Sequence, residues 1–423
     1  MKNTAFRFFF ILLLFFIAPW DYLGYIPVLS YLLDGYAIAE EWIVALCNRH
    51  LWHVAEVLNM DGGGSGDTSY AWAQFYTVLL LSVAGALLWS LIDKKRQKPY
   101  KTLSFGLNVV VRYHVAMVAL LYGIHKLFAL QMPFPNLSLL STALGDLLPM
   151  RLSWMFMGYS APYQIFSGVM ETLVGLLLLS RKTALAGALL GTGVFANVFA
   201  LNLCYDIPVK LFSMQTLFCC LFLTWNDRKR IWHFFVLNRN TTPSVTYERV
   251  FPKRWQRITR ILLKAAFILM FVVLQFIQSW SMYSEEKVQA ALQPIEAGIY
   301  DITERVENGD TLSAGEGNIR WNDMVFDRDG SGSVYPADTL LRQRYKRGYF
   351  VYEADTVAGF LRFKKGFSDT TGLFQLKYAI LDDSTLSLAG IVRSDTLSLV
   401  LQRRNRQFPL AERQFHWISE ANR

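Results

Sequence analysis

The chain has 423 residues, of which 53% are hydrophobic, 15% aromatic and only 18% charged. That mix excludes a disordered chain, a collagen and a disulfide scaffold, and apolar blocks long enough to cross a bilayer exclude an ordinary soluble enzyme. The formal charge of +9 resides in residues 1–281, which hold 24 Lys and Arg against 13 Asp and Glu, so it points to membrane topology and not to nucleic acid.

Seven apolar spans are predicted, at 6–20, 71–93, 105–128, 162–180, 183–201, 209–225 and 258–281. The first is short, and Phe8 to Ile17 would suit the core of a signal peptide. The residues that follow, Ala18 to Asp21, lack a small-x-small cleavage site, which favours an uncleaved anchor. Residues 27–60 read as an amphipathic helical stretch with Trp42, His50, Trp52 and His53 near one surface. The two histidines are spaced to share a helix face as metal ligands, but no third ligand is evident, and interfacial packing is the better reading. Asp61 to Asp67 is a glycine-rich turn whose free N–H groups would suit an anion; a plain linker into the second span is favoured.

Topology follows from the basic residues. With the N-terminus inside, the inner segments 1–7, 94–101, 181–182 and 226–264 carry 19 Lys and Arg. The outer connections 21–70, 129–161 and 202–208 carry Arg49 and Arg151 alone. This arrangement puts the N-terminus in the cytoplasm, the protein in an inner membrane and residues 282–423 in the periplasm. Cys219 and Cys220 lie within a span as packing residues. Cys47 and Cys204 both fall on the outer side, and whether they pair is open.

Ionisable residues inside spans are costly and mark candidate sites. The third span carries Arg112, His114, Tyr122, His125 and Lys126, the fourth carries Glu171, and Asp206 and Lys210 flank the start of the sixth. Glu171 lies about 13 Å and His114 about 21 Å below the outer boundary at 1.5 Å per residue. Arg112 and Lys126, 14 residues apart, differ by only about 40° around a helix, so one polar face must point into the bundle. Glu171 is the natural counter-charge. The arrangement reads either as a structural ion-pair network or as an outward-facing pocket for a head group, a quinone or a proton relay. Glycines 168, 175, 187, 191 and 193 would let the fourth and fifth spans pack closely.

The run Tyr122-Gly123-Ile124-His125-Lys126-Leu127-Phe128 resembles the Gly-x-x-Lys-Leu-Phe signature of the first helix of the DoxX family. Glu171-Thr172-Leu173-Val174-Gly175, followed by Leu176 to Leu179, is similar to the Glu-x-x-x-Gly-Leu-Leu-Leu run of its second. The likeness continues through Arg181-Lys182-Thr183, Asn197 and Asn202 to Tyr205-Asp206-Ile207-Pro208-Val209-Lys210. It covers residues 105–232 and is strongest to the longer, tail-bearing members of bacteroidetes. The resemblance implies a four-helix membrane core. It also implies kinship with subunits of quinone-linked sulfur oxidation and with components that assist other redox enzymes. It supplies no catalytic residue, and the extra spans and outer domain depart from a minimal member.

The connection 129–161, with Pro133, Pro135 and Pro149, is expected in the outer interface as a lid over the Glu171 region. After residue 290 the pattern changes to alternating strands, expected at 298–306, 318–326, 346–354, 357–364, 372–381, 385–392 and 396–403, which make a small barrel or sandwich. Such a barrel holds a small apolar ligand or, preferably, a filled core that docks a partner. Residues 327–338 match the twelve-residue calcium loop at Asp327, Asp329 and Ser331, with Gly at position 6. Asp338 stands where a bidentate Glu belongs and the flanks read as strand, so an acidic hairpin loop is favoured.

The expected architecture is an α-helical integral membrane bundle of about seven spans plus a small all-β C-terminal domain. Its parts are N-terminal spans and an outer amphipathic segment (1–104), a DoxX-like four-helix core (105–232), a basic loop with the seventh span (233–281) and the periplasmic β-domain (282–423). The expected role is an accessory or binding protein that contacts membrane lipids and holds a lipid-like ligand or an envelope protein partner near the outer face. A quinone-linked oxidoreductase component is the alternative. No catalytic constellation stands out, so whether the chain is an enzyme stays open at this level.

Overall fold

Thr68 starts one of the long apolar helices as its cap, its Oγ1 accepting from the Ala71 N–H at 3.1 Å. The computed structural model describes residues 3–21, 27–61, 63–94, 100–243, 251–291, 293–313, 316–413 and 415–420. In chain order the helices are α1 (Asn3–Ile17), α2 (Pro27–Cys47), α3 (Ser69–Ile92), α4 (Lys101–Leu127), α5 (Leu137–Leu140), α6 (Pro149–Tyr159) and α7 (Ala161–Leu178). They continue with α8 (Ala184–Cys204), α9 (Lys210–Thr224), α10 (Arg228–Phe235), α11 (Arg254–Ile268), α12 (Gln275–Ala291) and α13 (Pro409–Glu412). A π-helical stretch, Leu269–Leu274, joins α11 to α12. The chain divides into two compact units, Met1–Met132 with Ala161–Ser279, and Pro133–Ser160 with Trp280–Arg423.

Five helical runs are long and apolar enough to cross a membrane: α3, α4, α7, α8 and the continuous run Arg254–Glu285. They expose apolar side chains such as Leu87, Leu88, Leu91, Ile261, Leu262 and Leu263. Water does not favour such a surface, whereas hydrocarbon does. The chain is a membrane protein with an α-helical unit. The other two expected spans form helices of 15 residues, α1 and α9. Each is about 22 Å long, less than the hydrocarbon thickness. Phe6, Leu13 and Ile17 of α1 and Cys219 and Cys220 of α9 share the apolar core of this unit with Leu107, Val111 and Val115 of α4. All four cysteines are free thiols, so Cys47 and Cys204 do not pair.

The tightest helix seam joins α4 to α7. A Cβ on Gly168 would stand 2.8 Å from the Gly123 carbonyl oxygen, and one on Gly123 would stand 2.6 Å from the Thr172 nitrogen. Neither position tolerates a side chain, because the two backbones touch there.

The second unit carries the strands β1 (Gly298–Glu307), β2 (Asp310–Thr311), β3 (Asp323–Phe326), β4 (Ser331–Tyr335), β5 (Arg342–Arg344) and β6 (Arg347–Asp355). They continue with β7 (Phe360–Lys364), β8 (Phe374–Ile380), β9 (Thr385–Val392) and β10 (Asp395–Arg403). Eight of them close an antiparallel barrel in the order β1-β3-β4-β6-β7-β8-β9-β10, and β10 returns to β1 from Tyr300↔Arg403 to Glu307↔Leu397. The interior is filled with Trp321, Phe326, Phe350, Phe363 and the inward Leu of β8, β9 and β10. An eight-stranded barrel is just wide enough for side chains to fill it.

The sequence pattern misses β4. Ser331-Gly332-Ser333 has no apolar alternation and sits within the calcium-like motif, yet it pairs with β3 and β6. Gly332 is required there, since a Cβ would overlap the Val325 carbonyl oxygen and lie 2.6 Å from the Phe350 ring. Replacing Gly332→Ala is expected to destabilise the barrel by about 1–3 kcal/mol, the usual cost of overpacking. Thermal unfolding of the full chain in detergent, followed by tryptophan fluorescence, checks this; an unchanged transition would show that the wall tolerates the methyl group.

Candidate functional site

Lys126 and Glu171 meet across the α4–α7 seam. Lys126 is 6% and Glu171 1% exposed. The Lys126 ammonium donates to Glu171 Oε1 in a direct ion pair. Lys126 is in the last turn of α4, and Glu171 is in the middle of α7. The glycine contact next to the pair brings the helices close enough for a lysine to reach. The second carboxylate oxygen, Glu171 Oε2, and the neighbouring Thr172 hydroxyl are buried without a hydrogen-bond partner among the described residues. A buried acceptor in that state costs free energy that a ligand donor would offset.

The other candidates divide by distance. Tyr122 and His125 lie within the last two turns of α4, beside Lys126; the Tyr122 ring packs at 6.1 Å from that of Phe212 on α9. Arg112 does not share in the pair. Its guanidinium lies over the Tyr113 ring, 5.2 Å from the centroid, and its buried Nε meets no acceptor among the described residues. Arg112 and Lys126 lie on one face of α4, but 14 residues of rise separate them by about 21 Å. His114 is likewise apart, with Nδ1 buried and without a hydrogen-bond partner among the described residues.

Asp206 and Lys210 belong to a second cluster. Lys210 Nζ is 2.7 Å from Asp206 Oδ1 and 3.6 Å from Asp67 Oδ2. Asp67 caps α9, accepting from the backbone N–H of Lys210 at 2.7 Å and of Leu211 at 3.0 Å. A carboxylate at a helix N-terminus satisfies free donors and complements the dipole. The glycine-rich turn is thus fastened at its end, with the Gly66 N–H donating to Pro208 O at 2.8 Å. Nothing in the sequence links Asp67 to a helix 143 residues away.

Arg7 is a second group that the sequence pattern does not single out. It is 4% exposed. It donates to the Tyr100 hydroxyl at 2.7 and 3.0 Å, to Ser90 Oγ at 2.7 Å and to the Asp93 carbonyl at 3.1 Å. Tyr100 in turn donates to Asp93 Oδ2 at 2.5 Å. One arginine inside an apolar anchor therefore fixes the ends of α1, α3 and α4.

The amphipathic segment is helical as α2, and His50 and His53 are exposed. Trp52 donates to Thr77 Oγ1 at 3.1 Å, which gives the aromatic cluster a packing role.

The residues of the calcium-like motif do not converge on one point. Asp327, Asp329, Ser331 and Asp338 belong to a hairpin and its exit, and their side chains face different partners. Asp327 Oδ1 and Oδ2 accept from the Ser138 N–H at 3.1 Å, Ser138 Oγ at 2.6 Å and Asn136 Nδ2 at 3.0 Å. Asp329 accepts from the Ser331 N–H and hydroxyl. Asp338 pairs with Arg393 at 2.6 Å and accepts from Trp321 Nε1 at 3.1 Å. Among the described residues no group of three or more His, Cys, Asp or Glu is arranged to hold a metal ion.

The same contacts involve the connection 129–161. Its Pro133–Ser160 stretch is part of the barrel unit. A buried chain runs from Asp327 through Ser138 Oγ and Ser333 Oγ to Arg347, which pairs with Asp323. Lys346 adds a 2.7 Å pair to Asp146, and Arg151 donates to the Tyr345 hydroxyl at 3.1 Å. The outward side chains of β3 and β4, such as Val325 and Ser333, are buried because this segment covers them.

Comparisons with known proteins add little to this geometry. No family model matches the chain, and no solved structure matches it. Over 84 residues, 20% of the chain, it is 37% identical to the uncharacterized protein YwoB of Bacillus subtilis (strain 168). The match spans about half of that relative, 54% of its length.

Two outcomes follow from the buried charges. Removing one partner leaves the other unpaired, at a cost of about 3–5 kcal/mol. Lys126→Met and Glu171→Met should each lower the thermal midpoint in detergent strongly, and the double variant should recover much of the loss. A double variant as unstable as the sum of both would show that the two residues act independently. The second outcome concerns pH. Burial pushes the Asp327 carboxyl up to about 6, against the opposing pull of the Ser138 donors. The stability that it contributes is complete below the ordinary carboxyl value and is lost as pH rises through about 6. The midpoint of the full chain relative to that of Asp327→Asn should therefore rise between pH 7 and pH 5; a constant difference would refute the raised value.

Proposed function

We propose that the chain is a multi-pass inner-membrane protein of DoxX-like type, with its N-terminus in the cytoplasm and its barrel in the periplasm. In this reading it is an accessory or binding protein of the envelope. It holds a lipid-like ligand, or a partner, near the outer face at Lys126 and Glu171. The observation that carries the reading is the buried pair itself, which leaves Glu171 Oε2 unsatisfied in a helix seam. A polar ligand atom that donates there removes a standing cost, and the apolar surroundings suit a hydrocarbon tail. The order of the motifs around Gly123, Lys126, Glu171 and Asp206 supports the family assignment, and the 19-to-2 asymmetry of basic residues supports the orientation. The barrel has a filled interior, which fits a docking or covering module better than a ligand container.

Mass spectrometry of the protein taken gently from its own membrane tests the binding reading. The expected result is one lipid-like molecule per chain, lost from the fraction of Glu171→Gln that still folds. A bound quinone lost in the same variant would favour the oxidoreductase alternative, and no difference between variant and wild type would end the assignment of a site to Glu171. Single cysteines placed at Lys182 and Asp382 in a cysteine-free background test the orientation. An impermeant maleimide applied to spheroplasts should label the second and spare the first.

A further inference from the structure

Between two membrane-embedded helices the chain builds a short helix that packs on nothing. α9 packs against α4 and α8, both of membrane length, and the run that begins at Arg254 is of membrane length again. The connection from Trp225 to Lys253 holds no membrane-length apolar helix among the described residues, so it leaves and re-enters the bilayer at one face. α10 lies within that connection and buries none of its residues. Its composition is nevertheless not that of a solvated loop. Trp232, Phe234, Phe235, Val236 and Leu237 stand exposed in one run. At 3.6 residues per turn Ile231, Trp232 and Phe235 share a face, flanked by Phe234 and Val236, while Lys229, Arg230 and His233 fall on the opposite side.

We propose that α10 is an interfacial helix that lies flat in the membrane surface. Ile231, Trp232 and Phe235 sit among the glycerol groups and upper acyl carbons of the lipid, and Lys229, Arg230 and His233 face the head-group phosphates and water. The local fold leaves the apolar face open for this. At the end of α10 the chain turns back, with the Arg239 N–H donating to the His233 carbonyl at 2.9 Å. Arg230, on the polar side, pairs with Asp227 and holds the Thr242 carbonyl through Nε at 2.9 Å. The returning chain is thereby drawn along the polar side and away from Trp232 and Phe235.

Phospholipid is the occupant that matches this surface. Leu221 and Trp225, exposed at the end of α9, carry the apolar surface of the bundle into α10. Trp225, Trp232 and Trp255 at the start of α11 are all exposed, and amphipathic indole rings collect at the membrane–water boundary. Arg228 falls on the apolar side of α10 but lies over the Trp225 ring, 4.7 Å from its centroid, where its long stem lets the charge reach the head groups. Residues 225–251 carry five Lys and Arg against two Asp and Glu, which suits a surface of phosphates. Cations on one side of a helix and Trp and Phe on the other form the pattern that seats a helix in the plane of the interface. The inference depends neither on the direction in which the chain is threaded nor on the Glu171 reading.

A scan of single cysteines from Lys229→Cys to Val236→Cys, each carrying an environment-sensitive dye, tests the proposal. The full chain in a cysteine-free background is placed in nanodiscs of phosphatidylglycerol and phosphatidylethanolamine. Two quenchers are compared, iodide in the water and nitroxides attached high on the lipid acyl chains. Dyes at Ile231→Cys, Trp232→Cys and Phe235→Cys should be quenched by the lipid nitroxides and shielded from iodide, and dyes at Lys229→Cys and His233→Cys should show the reverse. The pattern should repeat with the helical period. Unfolding midpoints measured in parallel identify any variant that misfolds, and the remaining positions of the same face then carry the test. Three results would overturn the proposal. Iodide reaching every position would place α10 in water. Shielding of Trp232→Cys and Phe235→Cys from both quenchers would mean that a protein surface, from a second copy or a partner, covers the face. Quenching that changes steadily along the chain without regard to face would mean that α10 runs across the interface and does not lie in it.

Discussion

A lysine and a glutamate cannot remain charged in an apolar seam unless they meet, and the helical unit is organised around that requirement. Lys126 and Glu171 are 45 residues apart and reach each other because α4 and α7 touch backbone to backbone at Gly123 and Gly168. The glycines and the ion pair are one device. A side chain at either glycine would part the helices and strand both charges. The packing of Leu107, Val111 and Val115 against Val174 and Leu178 extends the same seam away from the pair. An ion pair of this kind is weak evidence for net stability, but it allows only one register between two otherwise uniform apolar surfaces.

The barrel unit applies the same logic to a segment from elsewhere in the chain. Ser138, with Asn136, brings polar donors to the barrel wall, and Asp327, Ser333 and Arg347 receive them in a continuous buried chain. Asn136 also caps α5 through Leu139. Each group has a partner, so burial is tolerated, and each partner is specific, so the segment has one place to bind.

Much of this architecture is legible in the sequence. All seven apolar runs became helices, because continuous apolar stretches of that length have few alternatives. The β-pattern after residue 290 likewise gave strands where Phe374, Leu376 and Leu388 alternate with polar residues. Two kinds of feature were not legible. The first is a strand without apolar alternation: the Ser-Gly-Ser start of β4 carries no period, and its identity comes from the neighbours Val325 and Phe350. The second is the partner of a polar side chain. Asp327 has the composition of a cation ligand, yet its donors come from residues 136 and 138. Asp67 looks like the end of a linker and is a helix cap. Arg7 looks like the usual basic flank of an anchor and is buried. For Lys126 and Glu171 the pairing was legible, because a charge in hydrocarbon admits so few partners. The family resemblance to DoxX rests on the same residues and is carried no further by the comparisons.

Closure of the barrel has a consequence for the order in which the protein is made. β1 and β10 share an edge, with Tyr300 opposite Arg403, so the cylinder cannot shut until about a hundred further residues have followed its first strand. At ordinary elongation rates that delay is about 5–20 s. Through that interval β1 presents an unpaired edge, and so does whichever strand was made last. Ser138 waits longer still, since its acceptor Asp327 lies 189 residues downstream. The segment that covers the barrel wall is therefore among the first parts of its unit to leave the ribosome and among the last to find its place.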